Sequence, residues 1–454
     1  MHVRYKVTLF VLFISLILLI GVLAFRALLE SIAYMLVIVY TAWGIYHLVI
    51  LSTGARIKHN GIGGPDTHNK NDGVELPRIS LIIPVRAEPI LARTIESTLL
   101  YTDYPIDRKE IIVVTEDKDM ARIALYYQYR YPSNVKLLFR RRYFPTKPSA
   151  LNDAVAMCKG EIIGVVDAED IVEYDLLKKV VYALEVKGYD AVQTLLMIDN
   201  ADDSWISKCF AMEYAGWFRL WLNGRARLGL YTPLGGTGNY IKRSALYEVG
   251  YWDPTNLAED AELAIRLMLS GKRIGVVDAR QWEEAPVTVK AWIRQRTRWY
   301  RGWLQSLWKY APILLNIRTI KRIGLVNTIA ALCMLVAPLV VALVPVSYAL
   351  TALWLLEHYG VLGTTLTSNL FPSYAIVPLV FNPIYYLTWI YASKLEGIRF
   401  ISNDLIFIFI YMNIMMPIAA YRALYQCIFK DVFWEKTMHE GRGVRWHAVN
   451  TAHN

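Results

Sequence analysis

The sequence predicts an α/β domain with a mostly parallel sheet, embedded between apolar helices. Two observations carry this. Between residues 77 and 289, short β-branched runs alternate with stretches of helical periodicity, the order that builds parallel sheets. On both sides lie apolar runs long enough to cross a bilayer at about 1.5 Å rise per residue. The composition agrees, because 55% hydrophobic and 19% charged residues over 454 positions is too apolar for an ordinary soluble enzyme.

In chain order, residues 7–25 ("VTLFVLFISLILLIGVLAF") carry no charge and a second apolar run covers 32–51. Together, 1–52 read as a hairpin of two spanning helices turning at "RALLES". Arg4 and Lys6 before it, with Arg56 and Lys58 after it, place both outer ends in the cytoplasm. Residues 53–76 lack apolar periodicity and are rich in Gly, Asn, Asp and His, as in a linker. Within 77–289, "ISLIIPV" (79–85), "EIIVVT" (110–115), "VKLLF" (135–139) and "EIIGVVD" (161–167) are candidate buried strands. "LARTIESTLL", "KPSALNDAVAMCK" and "YDLLKKVVYALEV" are the helices among them.

Residues 290–322 combine Arg294, Arg296, Arg298 and Arg301 with Trp292, Trp299, Trp303 and Trp308, a pattern expected of amphipathic helices in the membrane interface. Apolar runs return over 323–357, 373–393 and 404–429, the last read as a re-entrant or interfacial hairpin bent near Pro417. A basic tail, 430–454, follows and is expected on the cytoplasmic side.

A net charge of +10 suits anionic lipid heads or sugar phosphates in so apolar a chain, and no nucleic-acid module is recognisable. The four cysteines, Cys158, Cys209, Cys333 and Cys427, lie far apart and suggest neither a metal knuckle nor redox chemistry.

Ligands of parallel sheets sit beyond the carboxyl ends of the strands, so those ends are where chemistry is expected. The fourth strand runs into Asp167, Glu169 and Asp170. Such a cluster can hold a hard divalent cation, or form a turn in which Asp170 caps a helix. The second strand ends at Glu116 and Asp117, and Lys147 opens a helix. "LGGTGN" offers Gly236 and Gly238 for close backbone approach, with Thr237 and Asn239 for polar contact. "AEDAE" places Glu259, Asp260 and Glu262 in one acidic helical turn, and "QRTRW" closes the domain. The run Arg140–Arg142 reads as a solvated or lipid-facing basic stretch.

As an ordered set, these features resemble the membrane-integrated family 2 glycosyltransferases, the group containing the cellulose, hyaluronan and related processive β-glycan synthases. The resemblance spans roughly residues 77–312 with the flanking helices. It implies a GT-A-like, Rossmann-like catalytic domain on the cytoplasmic face of a multi-pass cell-membrane protein. The donor would be a nucleotide sugar, with a UDP-sugar the leading class. The nucleotide-binding carboxylate matches Glu116 or Asp117, where "TED" replaces the usual Asp pair. Lys147 would meet the nucleotide or diphosphate. Asp167 and Glu169 match the DxD motif that binds Mg2+ or Mn2+, with Glu in place of the second Asp. "AED" at 258–260 matches the TED motif, with Ala258 for Thr and Asp260 as catalytic base. QxxRW is complete in Gln295, Arg298 and Trp299, with Arg298 on phosphate and Trp299 against the acceptor sugar. Glu259, Gln295 and the 236–239 loop would complete the acceptor side.

The resemblance favours inverting synthesis of a β-linked polysaccharide coupled to export. Transfer of one sugar to a polyprenyl-phosphate or other lipid acceptor is the alternative. A non-catalytic transporter is the rival from another class, and it lacks the charged residues expected inside its spans.

Overall fold

The computed structural model describes residues 2–24, 26–56, 75–141, 146–361 and 373–431. Most of the expected linker (57–74), Arg142 and the tail from 432 lie outside the described residues.

Among the described residues, eight strands form one sheet: β1 (Ile79–Val85), β2 (Lys109–Thr115), β3 (Val135–Phe139), β4 (Ile162–Val165), β5 (Ile171–Val172), β6 (Ala191–Ile198), β7 (Asn239–Lys242) and β8 (Ile274–Glu283). Their order is β3-β2-β1-β4-β7-β6-β8-β5. Pairing among β3, β2, β1 and β4 is parallel, as is β6 with β8, while β7 runs antiparallel between β4 and β6. The GT-A-like, Rossmann-like sheet expected from the sequence is therefore present.

Both faces of the sheet are covered, which is why β1 and β2 read as unbroken apolar runs. Ile79, Leu81, Ile83, Ile111 and Val113 face one core, with the helices Leu91–Leu99, Lys118–Arg130 and Leu176–Val181. Ile82, Ile112 and Val114 face the other, shared with the helices Lys147–Val155 and Glu259–Leu269 and with the flanking apolar helices. The catalytic-domain core and the helical bundle thus form one continuous apolar interior on that side.

The helix Arg26–Ala55 begins at the "RALLES" segment, so those residues continue a helix and do not form the expected turn. Residues 323–357 resolve into two helices, Leu325–Ala342 and Val344–His358, with Pro345 in the first turn of the second. The expected hairpin at 401–429 is instead a continuous helical run. Asp404–Ile410 passes through a π-helical segment, Tyr411–Met415, into Met416–Phe429, and Pro417 is tolerated in the first turn of that final piece. Among the described residues, Ser31–Ala55, Leu325–Ala342 and Asp404–Phe429 are long and apolar enough to cross a membrane.

Of the residues expected to form an amphipathic interface helix over 290–322, Trp292 and Arg301 instead face the protein's interior. The helix Val289–Leu314 packs into the protein, with Trp292 wholly buried and its Nε1 donating to the Tyr411 hydroxyl at 2.7 Å. Arg301 is 2% exposed and donates to the Lys430 and Asp431 carbonyls, each at 2.8 Å. Its role is to fix the end of the last apolar helix, so its arginine character serves packing and not lipid docking.

Two glycines weld the Arg26–Ala55 helix to the segment that follows β6. A Cβ on Gly54 would overlap the Leu220 carbonyl, and one on Gly224 would overlap the Ile50 carbonyl. Gly224→Ala is therefore expected to cost roughly 1–3 kcal/mol through overpacking. A thermal unfolding midpoint equal to wild type in detergent would contradict this close approach.

Candidate active site

The carboxyl ends of β1, β2, β4, β6 and β8 open onto a cleft of about 870 Å³. Of the predicted residues, Glu116, Lys147, Asp167, Glu169, Gly236, Thr237, Glu259, Asp260, Gln295, Arg298 and Trp299 all line it.

Asp167 and Glu169 sit where β4 gives way to a turn. Asp170 is the brace of this turn. Fully buried, it accepts from the Asp167 amide (2.9 Å), the Thr237 hydroxyl (2.6 Å) and the Gln281 amide (2.7 Å). Thr237, which lines the cleft, thus has its hydroxyl engaged in supporting the Asp167 turn. Burial, with the charges of Asp167 and Glu169, pushes the Asp170 carboxyl well above the usual range.

Lys147 stands at a helix start fixed by the Thr146 hydroxyl, which caps the Ser149 amide. Its Nζ forms an ion pair with Asp167. Burial disfavours the ammonium, but Asp167 and Glu259 outweigh it and hold the Lys147 pKa above its ordinary value. Across the cleft, Asp260 lies in the first turn of the Glu259–Leu269 helix, where its Oδ1 accepts from the Ala261 amide at 2.7 Å. Burial raises the Asp260 carboxyl above its ordinary value, against the opposing charges of Lys147 and Arg298. Burial and the Asp260 charge push Glu259 to about 7. Gly236 lies between the two sides: a Cβ there would meet both the Asp260 Oδ2 and the Lys147 Nζ at 3.6 Å.

Several expected residues do not meet the cleft in the expected way. Asp117 caps the Lys118–Arg130 helix by accepting from the Asp119 and Met120 amides, leaving Glu116 as the cleft-facing member of that pair. Gly238, at φ 64°, backs onto Thr194, and the Asn239 amide donates to the Gly235 carbonyl at 2.7 Å. Both belong to the loop's support. Glu262 is fully buried in pairs with Arg266 and Lys309 and does not line the cleft. Trp299 lines the cleft with the Arg296 guanidinium 4.7 Å over its ring, so one contact of that ring is already taken.

Other residues were not foreseen. Arg140, expected in a solvated run, is 5% exposed, lines the cleft and pairs with Glu116 (3.3 Å) and Asp153 (3.5 Å). Glu283, at the end of β8, also lines the cleft, and burial with the nearby Asp167 and Glu169 charges raises it to about 8. Glu213 lines it too, held by Arg296 through two hydrogen bonds of 2.8 and 2.5 Å.

The donor set suits a hard divalent cation. Asp167 and Glu169 are two oxygen donors lining the cleft, and among the described residues no three ligand side chains converge to cage a metal. Mg2+ sites typically use one or two carboxylates completed by substrate phosphates, so two donors fit an ion shared with a diphosphate.

A second cavity, of about 210 Å³, lies among the apolar helices and shares Glu213, Trp217, Arg296 and Trp303 with the cleft. Trp217 stacks on Trp221 with ring centroids 4.2 Å apart and on Trp303 at 6.2 Å. The Arg225 guanidinium lies 4.4 Å over the Trp221 ring.

A sequence profile described as "Glycosyl transferase family group 2" matches residues 162–420. The chain is 32% identical over 238 residues to the "Probable glycosyltransferase YdaM" of Bacillus subtilis, covering 50% of this chain and 56% of that protein. It is 30% identical over 242 residues to the β-monoglucosyldiacylglycerol synthase of Synechocystis, covering 52% of this chain and 50% of that one. The matched region spans about half the length of these curated relatives. Among solved structures, a Pyrobaculum calidifontis mannosyltransferase in complex with GDP-Man and Mn2+ shares the fold, with a TM-score of 0.59 and 17% identity over 88% of this chain and 99% of that one.

Proposed function

Because the chain belongs to glycosyl transferase family group 2, we propose that it transfers a sugar from a nucleotide-sugar donor, with inversion, to the hydroxyl of a membrane lipid. The observation that carries the acceptor is the second cavity. It adjoins the catalytic cleft, sharing Glu213, Trp217, Arg296 and Trp303 as walls, and its lining within the apolar helices is chiefly aliphatic and aromatic. Trp217 stacks on Trp221 and Trp303, and Trp221 lies under Arg225, so these ring contacts are made within the protein and are not laid out as a track for sugars. An acyl or isoprenoid tail suits such walls better than a hydrated glycan. The relative that makes monoglucosyldiacylglycerol supports the same reading.

The residues divide the reaction between two sides of the cleft. On the donor side, Glu116 faces the nucleotide, and Lys147 with Arg298 holds the diphosphate where negative charge develops. Asp167 and Glu169 would hold a Mg2+ or Mn2+, which would supply Lewis-acid stabilisation of that leaving group. On the acceptor side, Asp260 takes the proton from the attacking hydroxyl, and its raised pKa makes it a stronger base than an ordinary carboxylate. Glu259, raised to about 7 by burial and the Asp260 charge, orients the acceptor as a neighbour. Gln295 and Trp299 complete that wall. The flanking apolar helices support a position at the membrane, and the basic residues Arg4, Lys6 and Arg56 around the first apolar segment support a cytoplasmic catalytic face.

Export-coupled synthesis of a β-linked polysaccharide is the second reading, favoured by the complete QxxRW at Gln295, Arg298 and Trp299. Product sizing separates the two. Purified protein in lipid vesicles, given a panel of nucleotide sugars, is expected to yield a lipid carrying one sugar. A ladder or high-mass glycan would establish the polymerase instead.

A further inference from the structure

Asp260 sits in the first turn of the Glu259–Leu269 helix, and Ala258, at the start of that helix, has no side chain to cap it. Ser, Thr, Asp or Asn is the usual occupant of such a position, because its oxygen answers a free amide of the first turn. Here the approach to the helix is fixed from outside. The Ala258 amide donates to Asn256 Oδ1 at 2.8 Å, and Asn256 Nδ2 donates to the Ser306 hydroxyl at 2.9 Å. The Leu257 amide donates to Gln305 Oε1 at 3.1 Å. Asn256, Gln305 and Ser306 are all buried. Gly302 lets the two backbones touch, since a Cβ there would overlap the Ala258 amide nitrogen and Cβ.

Gly302, Gln305 and Ser306 belong to the Val289–Leu314 helix, which also carries QxxRW. Spacings of three and four put Gln295, Arg298, Gly302 and Gln305 on one stripe of that helix. The first part of the stripe lines the cleft, and the second grips residues 256–258.

We propose that Asn256, Gln305 and Ser306 are positioning residues for sugar transfer, clamping the loop before Asp260 to the helix that carries Arg298. This rests on the reading of Asp260 as the base. Base and leaving diphosphate stand on opposite sides of the reacting carbon, so in-line attack needs their separation fixed. A single helix sets it, because the clamp acts on the main chain just before Asp260 while Arg298 stands two turns earlier on the same stripe. A misplacement of about 1 Å costs about a hundredfold in rate.

The test uses the full chain in phosphatidylcholine vesicles containing diacylglycerol, with a panel of UDP- and GDP-sugars. Release of nucleoside diphosphate is the rate, so it counts transfer to any acceptor. Asn256→Ala is expected to lower kcat about tenfold to a hundredfold, with the Kd of the sugar nucleotide unchanged. Asn256→Asp keeps an acceptor for the Ala258 amide and lets the Ser306 hydroxyl donate in turn, so it should return most of the rate. Ser306→Ala should act in the same direction, more mildly, and should cost nothing further when added to Asn256→Ala. Hydrogen exchange reads the clamp without activity. The Leu257 and Ala258 amides should lose protection in Asn256→Ala and Ser306→Ala, while those of β1 and β2 keep theirs.

Unchanged kcat in a variant whose 257–258 amides have lost protection would overturn the proposal. So would a fall in kcat and donor affinity together, or one that Asn256→Asp does not reverse. If Asn256→Ala fails to fold, Ser306→Ala carries the same two measurements. Retained transfer by Asp260→Asn would instead overturn the base assignment itself, whatever the clamp variants do.

Discussion

Asp260→Asn is expected to slow sugar transfer by about a hundredfold to ten-thousandfold, the range general-base catalysis supplies. The substitution keeps size and shape, and the amide can still accept from the Ala261 N–H through its carbonyl oxygen. Nucleotide-sugar affinity should change little if, as proposed, Glu116, Lys147 and the Asp167 turn hold the donor. The pH profile gives an independent sign. A base works only when deprotonated, and burial raises both Asp260 and Glu259, the latter to about 7. Transfer by wild type should therefore fall as pH drops through an acid limb nearer neutrality than an ordinary carboxylate would give. These two groups titrate as a pair, so the limb reports the pair and not one residue. Near-normal transfer by Asp260→Asn would move the base to Glu259, and lost donor affinity would place Asp260 in the nucleotide site.

Removing the divalent cation, or one of its carboxylates, is the second large effect. Lewis-acid stabilisation of a leaving diphosphate is worth several kcal/mol, which is about a hundredfold or more at roughly 1.4 kcal/mol per decade of rate. Chelation should cost at least that, with Mg2+ or Mn2+ restoring activity. Asp167→Asn should do likewise and require more metal for half-maximal rate, since an amide oxygen is a weaker ligand than a carboxylate. That variant also breaks the Lys147 pair, so the metal titration, and not the loss of rate, is the diagnostic. Full activity with metal verifiably absent would contradict the assignment of Asp167 and Glu169.

The parts of the fold legible in the sequence are those whose residues report burial directly. β1, β2 and β3 are short β-branched runs, and β1 and β2 are buried on both faces, so their patterns were unambiguous. β7 has four residues after a glycine-rich loop and gave no such pattern. β8 turns polar in its second half because Gln281 serves the Asp170 brace, Glu283 lines the cleft and Arg280 pairs with Glu173 and Glu396. Motif residues at strand ends were legible for the same topological reason. Arg140 and Glu213 were not, since an arginine in a basic run and a glutamate in an apolar helix acquire meaning only from what the fold brings beside them. The interface helix misled because an Arg/Trp mixture looks alike whether it meets lipid or, like Trp292 and Arg296, the protein's own interior.

The central claim is a single in-line displacement, with Asp260 activating the acceptor opposite a diphosphate held by Lys147, Arg298 and the Asp167 turn. Anomeric configuration tests it most directly. The glycolipid made from an α-linked nucleotide sugar should be isolated and its linkage determined by the proton coupling at the anomeric carbon. A β-linkage is predicted, and an α-linked product would contradict the mechanism.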